Sequence, residues 1–244
     1  MAKTVLITGA ATGIGRETAK RFAAEGYAVA VHYHKSEAAA KALVEELKAR
    51  HASVVPVQAD VRDGAAVGAM VEKACRAFGR VDALVCNAGI AQQKLFTDIS
   101  PREWNDMFDV NVTGVYRCIQ AVLPGMLSRK QGSIVTVSSI WGVVGASCEA
   151  HYSAAKAAVI GLTRALAKEL GPSGIRVNCV APGVIDTAMN AHLDDDAKAA
   201  LKEETPLGTI GTPRDVAEAI CYLASDRAGF VTGQVLGVNG GMVI

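Results

Sequence analysis

Residues 138–156 read SSIWGVVGASCEAHYSAAK, and three residue types in this stretch are able to pass a proton to a substrate. Tyr152 and Lys156 stand four positions apart, so on a helix they share a face. A phenol of ordinary pKa, near 10, exchanges protons slowly at neutral pH. An ammonium beside it favours the phenolate and draws the pKa toward the working range. A serine hydroxyl can donate a hydrogen bond to a carbonyl oxygen as negative charge builds there, and both Ser138 and Ser139 qualify. This set suits carbonyl reduction, which needs a hydride at carbon and a proton at oxygen. Trp141, Cys148 and Glu149 border the same stretch and are candidates for the substrate pocket. Trp141 reads as a shaper of its floor and Cys148 as a small lining residue. Glu149, three residues before Tyr152, is either a pocket carboxylate suited to a cationic substrate or an acid capping a helix.

A hydride donor has its own signature upstream. The run Thr8-Gly9-Ala10-Ala11-Thr12-Gly13-Ile14-Gly15 lies between an apolar strand-like segment and a helix-like one. Glycines there let the backbone turn tightly and approach a pyrophosphate, which the positive end of the helix then attracts. Gly9, Thr12, Gly13, Ile14 and Gly15 are therefore candidate dinucleotide contacts. The second strand-like segment ends at His32-Tyr33-His34-Lys35, where this type of site meets the adenosine ribose. No acid stands there to favour a free 2′-hydroxyl; His34, Lys35 and Arg16 offer positive charge to a 2′-phosphate instead. The expectation is NADP(H) in preference to NAD(H), although Lys35 would equally serve as a solvated loop lysine. Asp60, followed by Val61 after the third strand, could take an adenine amine or cap a helix.

These groups need a frame. Valine- and isoleucine-rich runs at 3–8, 27–33, 53–58, 81–86, 133–138, 175–180 and 234–238 are nearly continuous in apolar character, as strands covered on both faces are. Helix-period stretches at 14–25, 37–50, 64–78, 103–129 and 151–170 alternate with them. That alternation predicts an α/β fold, a doubly wound parallel sheet with helices on both faces. Residues 183–212 break the pattern as a polar excursion and read as a substrate loop or lid. The 244 residues carry a formal net charge of +1 with no block of like charge, which argues against a nucleic-acid surface. The N-terminus lacks the pattern of a secretory signal, no apolar run reaches the length of a membrane span, and six cysteines form no Cys-x-x-Cys pair. A reduced cytoplasmic protein with no metal site and no membrane or nucleic-acid partner is expected.

With these motifs in order, the chain resembles the short-chain dehydrogenase/reductase family over essentially its whole length. The family's glycine motif is Thr8 to Gly15, its Asn-Ala-Gly turn is Asn87-Ala88-Gly89, and its helix asparagine matches Asn111. Family spacing puts the active-site serine thirteen residues before the tyrosine, which selects Ser139. Pro182, Gly183, Ile185 and Thr187 match the turn that closes over the nicotinamide. The resemblance implies a single Rossmann-type domain over 1–244 with about seven strands, commonly a homotetramer. It also implies that Lys156 binds the nicotinamide ribose and that Asn111 holds a water in a proton relay.

Within the family the chain is most similar to 3-oxoacyl-acyl-carrier-protein reductases of bacterial fatty acid synthesis, through its length, VAPGVIDTAM and TGQVLGVNGGMVI. That implies NADPH-dependent reduction of a small or carrier-protein-bound 3-oxoacyl thioester, with Tyr152 as proton donor. An acidic carrier protein would want a basic surface such as Arg129 and Lys130; Ser173 stands where some of these reductases have arginine. The phrase SSIWG…GASCE…YSAAK also resembles reductases associated with elongation factor P, thought to act on a 5-aminopentanone group on a lysine. Another short-chain alcohol or ketone dehydrogenase shares the same frame. A different class, a non-catalytic dinucleotide-binding regulator, would have no need of all four of Ser139, Tyr152, Lys156 and Asn111.

Overall fold

Strands buried on both faces must hydrogen-bond to neighbours and pack against helices above and below, and the seven apolar runs do this in one sheet. The computed structural model describes residues 2–190 and 194–244. In chain order the elements are β1 (Thr4–Ile7), α1 (Gly13–Ala24), β2 (Ala28–Tyr33), α2 (Glu37–Ala49), β3 (Val54–Gln58), α3 (Gly64–Phe78) and β4 (Ala83–Cys86). There follow α4 (Pro101–Phe108), α5 (Gly114–Arg129), β5 (Gly132–Val137), α6 (Ile140–Val144), α7 (Ala150–Leu170), β6 (Ile175–Pro182), α8 (Asp195–Glu204), α9 (Pro213–Ala224) and β7 (Val235–Val238). The strands are all parallel, in the order β3-β2-β1-β4-β5-β6-β7. This is the doubly wound α/β sheet expected from the alternation.

One face is closed by α1, α2 and α9, through Phe22, Leu43, Leu47, Val216 and Ile220 among others. The other is closed by α3, α5 and α7, through Met70, Ile119, Met126, Val159 and Leu170. Strand order reverses between β1 and β4, so the connections leaving their carboxyl ends diverge to opposite faces and open a crevice. The glycine turn leaves β1 there and Asn87 leaves β4; Ser138 follows β5, and Gly183 follows β6.

Two elements differ from the sequence expectation. The helix expected over 103–129 is two helices joined by a π turn, Asp109–Thr113, which carries Asn111. Within 183–212 lies α8, begun by Asp194, whose carboxylate accepts from the Ala197 N–H at 2.8 Å. None of its residues is buried, and DDAKAALKEE holds one leucine and three alanines as its only apolar side chains, too little to mark a core-facing helix.

Candidate active site

The glycine turn is built by close approach. Gly9 has φ +64°, a left-handed conformation that costs a side chain strain, and a Cβ on it would stand 3.0 Å from the Ala88 Cα. A Cβ on Gly15 would collide with the Gly9 carbonyl oxygen and lie 2.6 Å from Asn87 Nδ2. Asn87 Nδ2 donates to the carbonyls of Thr8 (3.0 Å) and Gly9 (3.1 Å). Thr8 Oγ1 in turn accepts from the N–H groups of Asn87 (2.9 Å) and Ala88 (3.0 Å). The turns after β1 and β4 are thus one rigid unit. Thr12 begins α1 without capping its N–H groups, which leaves a donor-rich, positive helix start beside the turn. A glycine cradle too tight for side chains, opening on a helix start, fits the pyrophosphate of a dinucleotide.

A cavity of about 770 Å³ runs from this turn across the carboxyl ends of β4, β5 and β6. Gly9, Thr12, Gly13, Ile14, Asn87, Ala88 and Gly89 line one part of it. Ser139, Trp141, Glu149, Tyr152 and Lys156 line another, and Pro182, Gly183, Ile185 and Thr187 a third. Gly15, Arg16, His34, Lys35, Asp60, Val61, Asn111 and Cys148 lie outside its lining. Cys148 is exposed, at φ +61°, and its carbonyl accepts from the Lys94 N–H at 2.7 Å.

Tyr152 and Lys156 do share a face of α7 and are both buried, 8% and 5% exposed. Lys156 Nζ lies 5.6 Å from the centre of the Tyr152 ring and donates to the Val137 carbonyl at 3.0 Å. Burial pushes the phenol up to about 12; a hydrogen bond with Ser139 works against this, and the Glu149 charge adds to it. Burial also pushes the Lys156 ammonium down to about 8. The downward pull expected from Lys156 is not among the effects that act on the phenol, which desolvation dominates, so at neutral pH the phenol holds its proton. Ser139 begins α6, its Oγ accepting from the Trp141 N–H at 3.1 Å. Ser138 Oγ donates instead to the Lys156 carbonyl at 2.9 Å, which removes it from the cavity chemistry and steadies the lysine.

Asn111 is fully buried in the π turn. Its Nδ2 donates to the Ile90 carbonyl (2.9 Å) and its Oδ1 accepts from the Ile90 N–H (3.2 Å). A Cβ on Gly89 would stand 2.6 Å from Asn111 Oδ1 and 3.3 Å from Lys156 Nζ, so the three meet at one point.

On the adenosine side, Arg16 pairs with Glu46 at 2.7 Å. His34 Nε2 stands 3.6 Å from Asp60 Oδ2. Asp60 is gripped by the Arg62 guanidinium and N–H, which pull its carboxyl down to about 2. Lys35 is exposed at the end of β2, and its ammonium has no partner among the described residues. Val61 packs on the start of α5, where a Cβ on Gly114 would come within 2.8 Å of it.

Sequence reading missed a polar chain behind the cavity wall. Lys94 Nζ pairs with Glu103 at 2.8 Å, and Glu103 accepts from Gln92 Nε2 at 2.9 Å. Gln92 Oε1 must then face His151 Nε2, 3.0 Å away, which makes that nitrogen the proton-bearing one. Gln92 and Gln93 line the cavity, and Gln93 Nε2 donates to Glu149 Oε1 at 3.4 Å. The partners come from the loop after β4, from α4 and from α7, so no spacing along the chain could reveal them. Arg129 and Lys130 end α5, next to the start of β5 and away from the carboxyl ends of the strands; Arg129 Nη2 is bound to the Val81 carbonyl at 2.7 Å. Within one chain they do not border the cavity. No described helix is long and apolar enough to cross a membrane, and no described cluster of His, Cys, Asp or Glu could hold a metal.

A doubly wound sheet with a glycine cradle and a buried Ser-Tyr-Lys set in one crevice defines a dinucleotide-type oxidoreductase. The family described as Enoyl-(Acyl carrier protein) reductase matches residues 9–243. The 3-oxoacyl-[acyl-carrier-protein] reductase of Staphylococcus aureus is 45% identical over 242 residues, 99% of this chain and 98% of its own. A (2S)-[(R)-hydroxy(phenyl)methyl]succinyl-CoA dehydrogenase subunit of Thauera aromatica is 44% identical over 98% of this chain and 96% of its own. The crystal structure of a 3-oxoacyl-[acyl-carrier protein] reductase from Brucella melitensis superposes with a TM-score of 0.92 at 38% identity, covering 98% of this chain and 90% of that one. The chain belongs to the short-chain dehydrogenase/reductase family and is an oxidoreductase similar to the 3-oxoacyl-acyl-carrier-protein reductases.

Proposed function

We propose that this oxidoreductase is an NADPH-dependent carbonyl reductase of 3-oxoacyl thioesters, small or held on a carrier protein. The observation that carries this reading is that Ser139, Tyr152 and Lys156 line the same cavity as the glycine turn. A nicotinamide dinucleotide, its pyrophosphate held by Gly9, Gly13 and the start of α1, would supply the hydride that the carbonyl carbon needs. Ser139 donates a hydrogen bond to the carbonyl oxygen, and Tyr152 gives that oxygen its phenolic proton. The phenolate left behind faces the Lys156 ammonium, whose charge offsets it in a site shielded from water. A phenol that keeps its proton at neutral pH is the donor form this direction requires.

Preference for the 2′-phosphate rests on Lys35 and His34 at the end of β2, with no acid among residues 32–36. A homotetramer in the cytoplasm completes the proposal; exposed apolar side chains such as Phe96 (70% exposed) and Phe230 support association of subunits. Purified protein should oxidise NADPH with acetoacetyl thioester, and Tyr152→Phe should reduce kcat by about 10³-fold or more while NADPH still binds. Retained turnover in that variant would refute the mechanism. Equal turnover with NADH would refute the cofactor assignment.

A second reading has one observation in its favour: Glu149 lines the cavity close enough for its charge to raise the Tyr152 phenol. A carboxylate there suits a cationic ketone, such as an aminopentanone on a protein lysine, better than an acyl chain. Glu149→Gln separates the two, since it should harm turnover of a small aminoketone and spare acetoacetyl thioester.

A further inference from the structure

We propose that His32 is a positioning residue for the adenosine-diphosphate half of the dinucleotide, its imidazole joining the glycine turn to the segment after β3. The inference rests on the dinucleotide reading above and assigns a task to a residue that contacts neither reacting group.

His32 lies inside β2 and is 2% exposed. Its Nδ1 is 2.9 Å from the Gly9 backbone nitrogen, and its Nε2 is 3.0 Å from the Ala59 carbonyl oxygen. These partners leave one arrangement. A backbone N–H only donates, so Nδ1 must carry the lone pair; a carbonyl only accepts, so Nε2 must carry the proton. The neutral ring therefore spans two loops. Its own carbonyl adds a third tie, accepting from the Ala10 N–H at 2.8 Å.

The two loops are the ones an adenosine diphosphate would touch. Gly9 is the first glycine of the pyrophosphate turn and lines the cavity. Ala59 leads directly into Asp60 and Val61, the candidate adenine wall. With Gly9 at φ +64°, the turn relies on fixed partners for its N–H groups, and His32 is the one that binds the first. Protonation of Nδ1 would replace an acceptor with a donor aimed at another donor. Burial opposes it, holding the imidazole down to about 4 although the hydrogen bond to the Ala59 carbonyl works against this; His34 adds to the lowering and Asp60 opposes it.

The experiment compares wild type, His32→Asn and His32→Leu by calorimetric titration with ADP-ribose and with NADPH, alongside kcat at saturating NADPH. Asparagine keeps an acceptor and a donor; leucine keeps neither. His32→Leu should weaken ADP-ribose and NADPH together by tenfold or more, with kcat within about twofold of wild type, and His32→Asn should recover most of the affinity. On lowering pH from 6 to 4, wild-type affinity for ADP-ribose should fall more steeply than that of His32→Asn. If His32→Leu fails to fold, the pH comparison with His32→Asn decides, and identical slopes refute the proposal. Unchanged ADP-ribose affinity in a folded His32→Leu also refutes it. Wild-type protein that binds neither ligand would overturn the dinucleotide reading and this inference with it.

Discussion

Tyr152 and Lys156 carry opposite shifts from one cause. Each loses water on α7, so the phenol resists becoming an anion and the ammonium resists remaining a cation. Forming the phenolate is then tied to keeping the lysine charged, because a buried anion without its cation pays the full desolvation cost. The charge on Lys156 is lost as pH rises through about 8. The rate of reduction should therefore be level below that pH and fall above it, about tenfold per unit. Measuring kcat from pH 6 to 10 with both substrates saturating checks this. A profile that stays level to pH 10 would show that Lys156 charge is not needed in the reduction step.

At the scale of elements, the π turn between α4 and α5 brings Asn111 to the loop after β4. A five-residue π segment inserted in a helix redirects one side chain without ending the helix, a device common at functional sites. Removing the Asn111 amide strips the Ile90 N–H and carbonyl of partners, so Asn111→Ala should lower unfolding free energy by about 1–3 kcal/mol. Gly89→Ala should cost a similar amount by collision with Asn111 Oδ1. Since the collision needs the amide, the double variant should be less destabilised than the sum by about 1 kcal/mol. Urea denaturation of the three variants tests the coupling, and strict additivity would contradict it. The same element shows where sequence reading stopped. Strands such as 83–86 and 175–182 were legible because burial on both faces leaves unbroken apolar runs. The Tyr152–Lys156 pair and the glycine turn were legible because the residues that define each motif lie within a few positions of one another. The π turn was not, since residues 103–129 keep a helical composition through it, and α8 was not, since no residue of it is buried. His32 with Ala59, and His151 with Gln92, meet only after the strands have been laid side by side.

Across the whole molecule, the fold buries two imidazoles, His32 in β2 and His151 at the start of α7, and this sets how it responds to acid. His32 and His151 are both buried, and burial lowers both. The unfolded chain takes up a proton on His32 near 6.5, whereas the folded chain resists until about 4. The unfolded state thus binds more protons between these values, so stability is full above about pH 6.5 and declines as pH falls toward 4. From pH 7 to pH 5, His32 alone should remove about 2 kcal/mol of unfolding free energy. His151 adds a loss of the same sign, so the isolating measurement is the difference between wild type and His32→Asn. Urea midpoints at pH 7 and pH 5 should drop markedly for wild type and less for the variant. An equal drop in both would mean that the buried imidazole in β2 is not the group that couples the fold to acid.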